Sequence, residues 1–134
     1  MKRFISILLL GILVFLLFNC SEDSSTEPPT IINIDEAEQI LLSKVFNDTV
    51  PTSKRVYKLS NILEKDSVIL CGNNQYVADR DCWLFFIDDF YIANWGHPCR
   101  YIFIYHSQVS DNDLIIIDEN MPPRNLENFV EVDF

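Results

Sequence analysis

Two short apolar runs dominate the pattern of the chain. Residues 83–87 and 101–105 are apolar at every position, rich in aromatic and β-branched side chains, and bounded by turn-forming residues. That combination predicts two strands at the centre of a sheet. The polar set between them, Asp88, Asp89, Asn94, Gly96, His97 and Pro98, reverses the chain. Upstream, Ala37, Ile40, Leu41 and Val45 follow helical spacing behind Asp35, with Glu36 and Glu38 in the first turn, where carboxylates complement the helix dipole. One amphipathic helix over 35–46 is expected, its apolar face on the sheet. It stops before Pro51, because a residue preceding proline avoids helical angles.

Weaker signals complete the pattern. Alternation over 54–60 predicts an edge strand, 61–66 a turn or short helical piece, and 67–71 a clearer strand that Gly72-Asn73-Asn74 stops. An irregular connection is expected over 75–81. Asp111-Asn112-Asp113 is a tight turn between 101–108 and 114–118, so a hairpin is the natural reading. The closing segment, with Leu126, Phe129, Val130, Val132 and Phe134, is suited to covering a core edge. A helix followed by consecutive strands predicts an α+β fold: one N-terminal amphipathic helix on an antiparallel β-meander of about four strands, in a single domain over 34–134.

The N-terminus has a different pattern. Lys2 and Arg3 precede a continuous apolar run over 4–18 that ends in Leu17-Phe18-Asn19-Cys20. As a helix it reaches about 22 Å at ~1.5 Å per residue, short of the ~30 Å hydrocarbon core, so a signal peptide over 1–19 fits better than a spanning helix. The segment resembles the signal of a bacterial lipoprotein, in which the cysteine after a lipobox is acylated and becomes the new N-terminus. Leu17 and Cys20 match that pattern. Asn19 stands where Gly, Ala or Ser is usual, which leaves an uncleaved anchor or an ordinary secretory signal open. The resemblance implies lipidation of Cys20 and attachment to the cell envelope, at the outer membrane, through palmitate-like chains. Each buried methylene contributes ~0.8 kcal/mol, so more than one chain holds the protein on the bilayer for practical purposes permanently. Residues 20–33 then form a lipidated cysteine and flexible tether, polar and stiffened by Pro28-Pro29. Its Glu22 and Asp23 also resemble the export signals of surface-exposed lipoproteins in the Bacteroidetes.

Charge narrows the partners. Loss of Lys2 and Arg3 with the signal leaves eight Lys and Arg against 20 Asp and Glu, a net charge of −12. Phosphate binding needs clustered cations, so nucleic acid and anionic lipid surfaces are disfavoured. Acidity is also the ordinary condition of a soluble exported surface. In element order, a lone helix on a curled meander resembles the small inhibitory or prodomain-like modules of the PepSY and cystatin architectures, over about 34–118. Trp83-x-Phe-Phe-Ile-Asp-Asp followed by His97-Pro-x-Arg-Tyr resembles a recurring segment of uncharacterised secreted bacterial proteins.

Three cysteines remain beyond Cys20. If strand 67–71 runs antiparallel beside 83–87, Cys71 meets Cys82, and a disulfide there would contribute roughly 3 kcal/mol by closing a short loop. Reduced, buried thiols are the alternative. Cys82 and Cys99 lie at opposite ends of their strands, too far apart for the ~7 Å that a bond allows. His97 and Cys99 invite a nucleophile hypothesis, because an imidazole can hold a thiol as thiolate. Against it, they sit on one turn, separated by a proline, and a backbone-bonded His97 beside a buried Cys99 is the simpler reading. Asp88, Asp89, His97, Cys99 and His106 have metal-ligating atoms but no recognised spacing, and Asp111-Asn112-Asp113 lacks the glycine and glutamate of a calcium loop. No phosphate-cradling or hydrolase motif occurs. No catalytic residue, metal or cofactor is therefore assigned.

The sharper expectation is a binding surface. Two fully apolar strands need cover on both faces, yet only one helix is evident. The far face would carry Tyr101, Phe103 and Tyr105 with Trp83 or Phe85, near Trp95, His97 and Arg100 in and after the loop, and would meet a protein or peptide partner. Alternatively the C-terminal segment or 72–81 folds over that face. The expected function is a lipid-anchored envelope protein acting as a noncatalytic binding or inhibitory module. A structural envelope component and a Cys/His-dependent enzyme are the rivals.

Overall fold

A computed structural model describes residues 28–93, 96–110 and 113–134. Among the described residues the fold is α+β, with one α-helix and antiparallel sheets. In chain order the elements are β1 (Thr30–Ile31), α1 (Ile34–Phe46), β2 (Arg55–Leu59), β3 (Val68–Cys71), β4 (Asn74–Val77), β5 (Cys82–Asp88), β6 (Cys99–Tyr105), β7 (Ser107–Gln108), β8 (Leu114–Glu119) and β9 (Phe129–Glu131). A 3₁₀ turn at Leu126–Asn128 precedes β9. Among the described residues, no helix is long and apolar enough to cross a membrane.

The central sheet has the order β8-β6-β5-β2-β9. The two apolar runs form its middle, paired from Cys82↔Tyr105 to Asp88↔Cys99. Because side chains alternate across a strand, this register deals Leu84, Phe86, Tyr101, Phe103 and Tyr105 to one face and Phe85, Ile87, Ile102 and Ile104 to the other. Both sets are buried. The second set shares a cluster with Ala37, Leu41 and Phe46 of α1.

Helix α1 starts one residue earlier than expected because Asn33, not Asp35, supplies its cap. The Asn33 side chain accepts from the Glu36 N–H at 3.0 Å, and the Glu36 carboxylate accepts from the Asn33 N–H at 2.8 Å. Two otherwise orphaned donors are satisfied by this reciprocal box. Asn47 closes the helix in the left-handed region, at φ 49°.

Four expectations are corrected. Strand β2 is not an edge, since β9 pairs along its outer side. Strand β3 does not run beside β5. It pairs with β4, inside the segment expected to be irregular, through a turn at Gly72 (φ 60°) and Asn73. Glycine at the first central position suits the II′ turn that matches strand twist. Finally, ordered structure begins before residue 34: β1 pairs with β7, and Ile32 is buried.

The β3–β4 hairpin covers the face of the sheet that α1 does not. The Tyr76 ring stacks on Phe103 with centroids 4.0 Å apart, and Ile69, Cys71 and Ala78 join the same cluster. Leu126 and Phe129 pack at its margin. The domain therefore has three layers: helix, sheet and hairpin.

Candidate functional site at the loop joining the central strands

The expected aromatic face is not bare. Tyr101, Phe103 and Tyr105 are buried beneath the β3–β4 hairpin. The Tyr101 hydroxyl donates to the Met121 carbonyl and accepts from the Gly72 N–H, both at 3.1 Å, so it fastens the hairpin turn to the sheet. The Tyr105 hydroxyl donates to Asp79 at 2.9 Å, and the Arg80 guanidinium lies 3.5 Å over its ring. Trp83 and Phe85 belong to the opposite face, where Trp83 Nε1 donates to the Ile32 carbonyl at 3.2 Å. One residue of register separates the two sets. Cys20 and Trp95 lie outside the described residues.

The cysteines follow from the same register. Cys82 and Cys99 stand six positions apart, about 20 Å at ~3.3 Å per residue. Cys71, next to the turn that Tyr101 fastens, sits toward the Cys99 end, so the premise of a Cys71–Cys82 pairing, β3 alongside β5, does not hold. All three are free, buried thiols. Burial pushes Cys71 and Cys82 up to about 12 and Cys99 up to about 11. Cys99 Sγ donates to the Met121 carbonyl at 3.2 Å. A buried thiol so far above neutrality is a poor nucleophile.

One apolar surface that remains open is the tip of the β5–β6 connection. Phe90, Tyr91 and Ile92 are consecutive, and 51%, 37% and 67% exposed. Their base is pinned by polar bonds. Asp88 Oδ1 accepts from the Phe90 N–H at 3.1 Å and lies 2.8 Å from His97 Nε2. His97 is thereby bound to a carboxylate. Asp89 receives Arg100 through Nε and Nη2, each at 2.8 Å, and Lys54 Nζ as a further partner. Burial would raise the Asp89 pKa, but the bonds from Arg100 and Lys54 outweigh it and hold the carboxyl below its ordinary value. Arg55 stacks 4.3 Å over the Tyr91 ring, and the Phe90 carbonyl accepts from the Ala93 N–H at 3.0 Å. Gly96 returns the loop so closely to the 120–121 backbone that a Cβ there would stand 2.9 Å from the Asn120 carbonyl oxygen.

Sequence reasoning reached Asp88, Asp89, His97 and Arg100 but missed Phe90, Tyr91 and Ile92. The available signal was an apolar triplet inside a segment otherwise made of turn formers. The arrangement offers an apolar tip whose base is held by polar bonds of Asp88 and Asp89. Among the described residues no group of three His, Cys, Asp or Glu side chains is placed to hold a metal ion. No protein-family model matches the chain, and no curated protein or solved structure is similar to it.

Proposed function

We propose that this is a lipid-anchored cell-envelope protein whose single domain is a noncatalytic binding module, and that it meets a protein partner through Phe90, Tyr91 and Ile92. The observation that carries the reading is three adjacent apolar side chains exposed on a loop whose base is held by the ion pairs of Asp89 with Arg100 and Lys54. Exposed apolar clusters on a preorganised support are the economical way to bind a protein, because little side-chain or loop entropy is lost on docking.

The net charge of −12 left without the signal favours a protein over an anionic bilayer. The chain enters the domain at β1, which pairs with β7 just beyond Tyr105, the residue opposite Cys82. Phe90–Ile92 lies past the other end of the same hairpin, about 20 Å away at ~3.3 Å per residue. An anchor at Cys20 would attach at the end remote from the tip.

Two measurements test the proposal. Mass spectrometry of the membrane fraction should find acyl chains on Cys20 and none in Cys20→Ser; an unmodified, freely diffusing mature chain would remove the anchor. A photo-crosslinking residue placed at Ile92 in cells should give a discrete adduct that is absent from a matched position at Glu64 and lost in Phe90→Ser/Tyr91→Ser. Identical background at both positions would remove the binding surface.

A further inference from the structure

We propose a second binding site, independent of the loop: the free edge of β3 takes up an extended peptide as an added strand, with a carboxylate of that peptide against Arg124. The argument begins with main-chain valences. The Ala78 N–H donates to the Ser67 carbonyl at 2.9 Å, which makes Ser67 and Ala78 a hydrogen-bonded pair. Bonded and non-bonded pairs alternate along an antiparallel ladder. In the observed register, Ile69↔Tyr76 and Cys71↔Asn74 are then bonded pairs, while Val68↔Val77 and Leu70↔Gln75 are not. Val68 and Leu70 consequently direct N–H and C=O away from β4. Among the described residues, strand β3 has no other sheet neighbour and no backbone bond between elements uses either residue.

Those four groups open onto a cleft of about 360 Å³. It is lined by β3 together with Leu59, Pro123, Arg124, Asn125 and Phe129. Donor and acceptor sets repeat along β3 every ~6.6 Å, the spacing of alternate residues in a strand, which a peptide backbone matches and a compact ligand does not. Side chains on the added strand would continue the apolar surface of Val68 and Leu70, which are 57% and 41% exposed. Arg124 is exposed and takes part in no ion pair among the described residues, so this cleft offers a free cation in a strongly acidic chain. Arg124 therefore supplies a local counter-charge for one carboxylate of the peptide.

The probe is a fluorescent hexapeptide of alternating threonine and valine ending in glutamate, titrated by anisotropy into the purified full chain in detergent. Saturable binding is expected. The same peptide N-methylated at its four central amides should bind about tenfold more weakly or worse, since it can neither donate nor approach as a strand. Leu70→Pro deletes one outward N–H but none of the bonds to β4, so it should weaken binding while thermal unfolding stays cooperative. Replacing the peptide's glutamate with glutamine should cost about threefold in the native chain and nothing in Arg124→Ala. Equal affinity for the methylated peptide, or no saturation up to ~1 mM, would overturn the proposal. So would a dimer in sedimentation that Leu70→Pro dissolves while the peptide fails to bind, because the edge would then belong to a second copy. Substitutions at Phe90 and Tyr91 should leave this binding unchanged, which separates its failure from that of the loop.

Discussion

Replacing Asp89 with asparagine removes the charge that Arg100 and Lys54 share beneath the exposed loop. Arg100 contributes two bonds of 2.8 Å and Lys54 a third, around a carboxylate whose side chain is 13% exposed. A hydrogen bond to a charged group contributes roughly 1.5–3 kcal/mol, which would total well above 4. Three terms reduce the loss. Asparagine keeps one acceptor oxygen, and the side chains of Arg100 and Lys54 retain 20% and 26% exposure, so water recovers part of their solvation. A net loss of about 2 kcal/mol is expected, seen as a fall of about 1 M in the urea midpoint at an m-value of ~2 kcal/mol/M. The sign with pH follows from the depressed pKa. Asp89 is lower in the folded state than its unfolded value of ~3.9, so its contribution is complete above that value and disappears as pH falls through the folded pKa. Urea unfolding of wild type and Asp89→Asn, followed by tryptophan fluorescence, should therefore show the full gap at pH 7 and a smaller one below about pH 4. A gap under ~0.5 kcal/mol at pH 7, or one that does not change with acid, would refute the account of the loop's base.

Three further outcomes are expected. Tyr101→Phe strands the Gly72 N–H and weakens the tie between the hairpin and the Met121 carbonyl, at a cost of about 1–3 kcal/mol in urea unfolding; an unchanged midpoint would mean the hydroxyl is not what fastens the hairpin. Asn33→Ala breaks the capping box and should cost about 1 kcal/mol, while Asn33→Asp should restore most of it. Iodoacetamide at pH 8 should leave Cys71, Cys82 and Cys99 unmodified in the native protein and label all three in urea, because burial keeps the thiols protonated. A pair that stays unlabelled in urea until reductant is added would instead be a disulfide.

The legible part of the fold was the part with strong periodicity. Residues 83–87 and 101–105 announce central strands because every position is apolar, and the spacing of Ala37, Leu41 and Val45 announces the helix. What the pattern did not carry was partnership. Strand β4 reads Asn-Gln-Tyr-Val, a polar sequence with Tyr76 as its one half-buried ring, so nothing local distinguishes it from a connection. Without β4, strand β3 had no neighbour but β5, and the cysteine pairing followed from that single assumption. β9 was equally hidden, three residues long and preceded by a 3₁₀ turn. Of the two readings of the aromatic face, cover by 72–81 and the C-terminal segment is the one observed, since Tyr76, Ala78, Leu126 and Phe129 pack on the cluster of Tyr101, Phe103 and Tyr105.

Covering both faces of the central sheet changes where recognition can occur. A face that buries Phe86, Tyr101 and Phe103 on one side and Phe85, Ile87 and Ile102 on the other has no rings to offer without unfolding a layer, and exposing such clusters costs several kcal/mol out of a small total. Contacts with other molecules must then be made by what layering leaves over, which is the tips of connections and the unpaired edges of strands. The domain has a prominent example of each: Phe90–Ile92 at the end of its longest hairpin, and the outward main-chain groups of Val68 and Leu70 on the covering hairpin. They differ in chemistry. The tip presents side chains and would select a partner by shape, whereas the edge presents backbone and would select by extended conformation. Because Tyr101 ties the covering hairpin to the sheet beside Cys99, loosening that tie should disturb the edge before the tip, whose base rests on Asp89 and Asp88 instead.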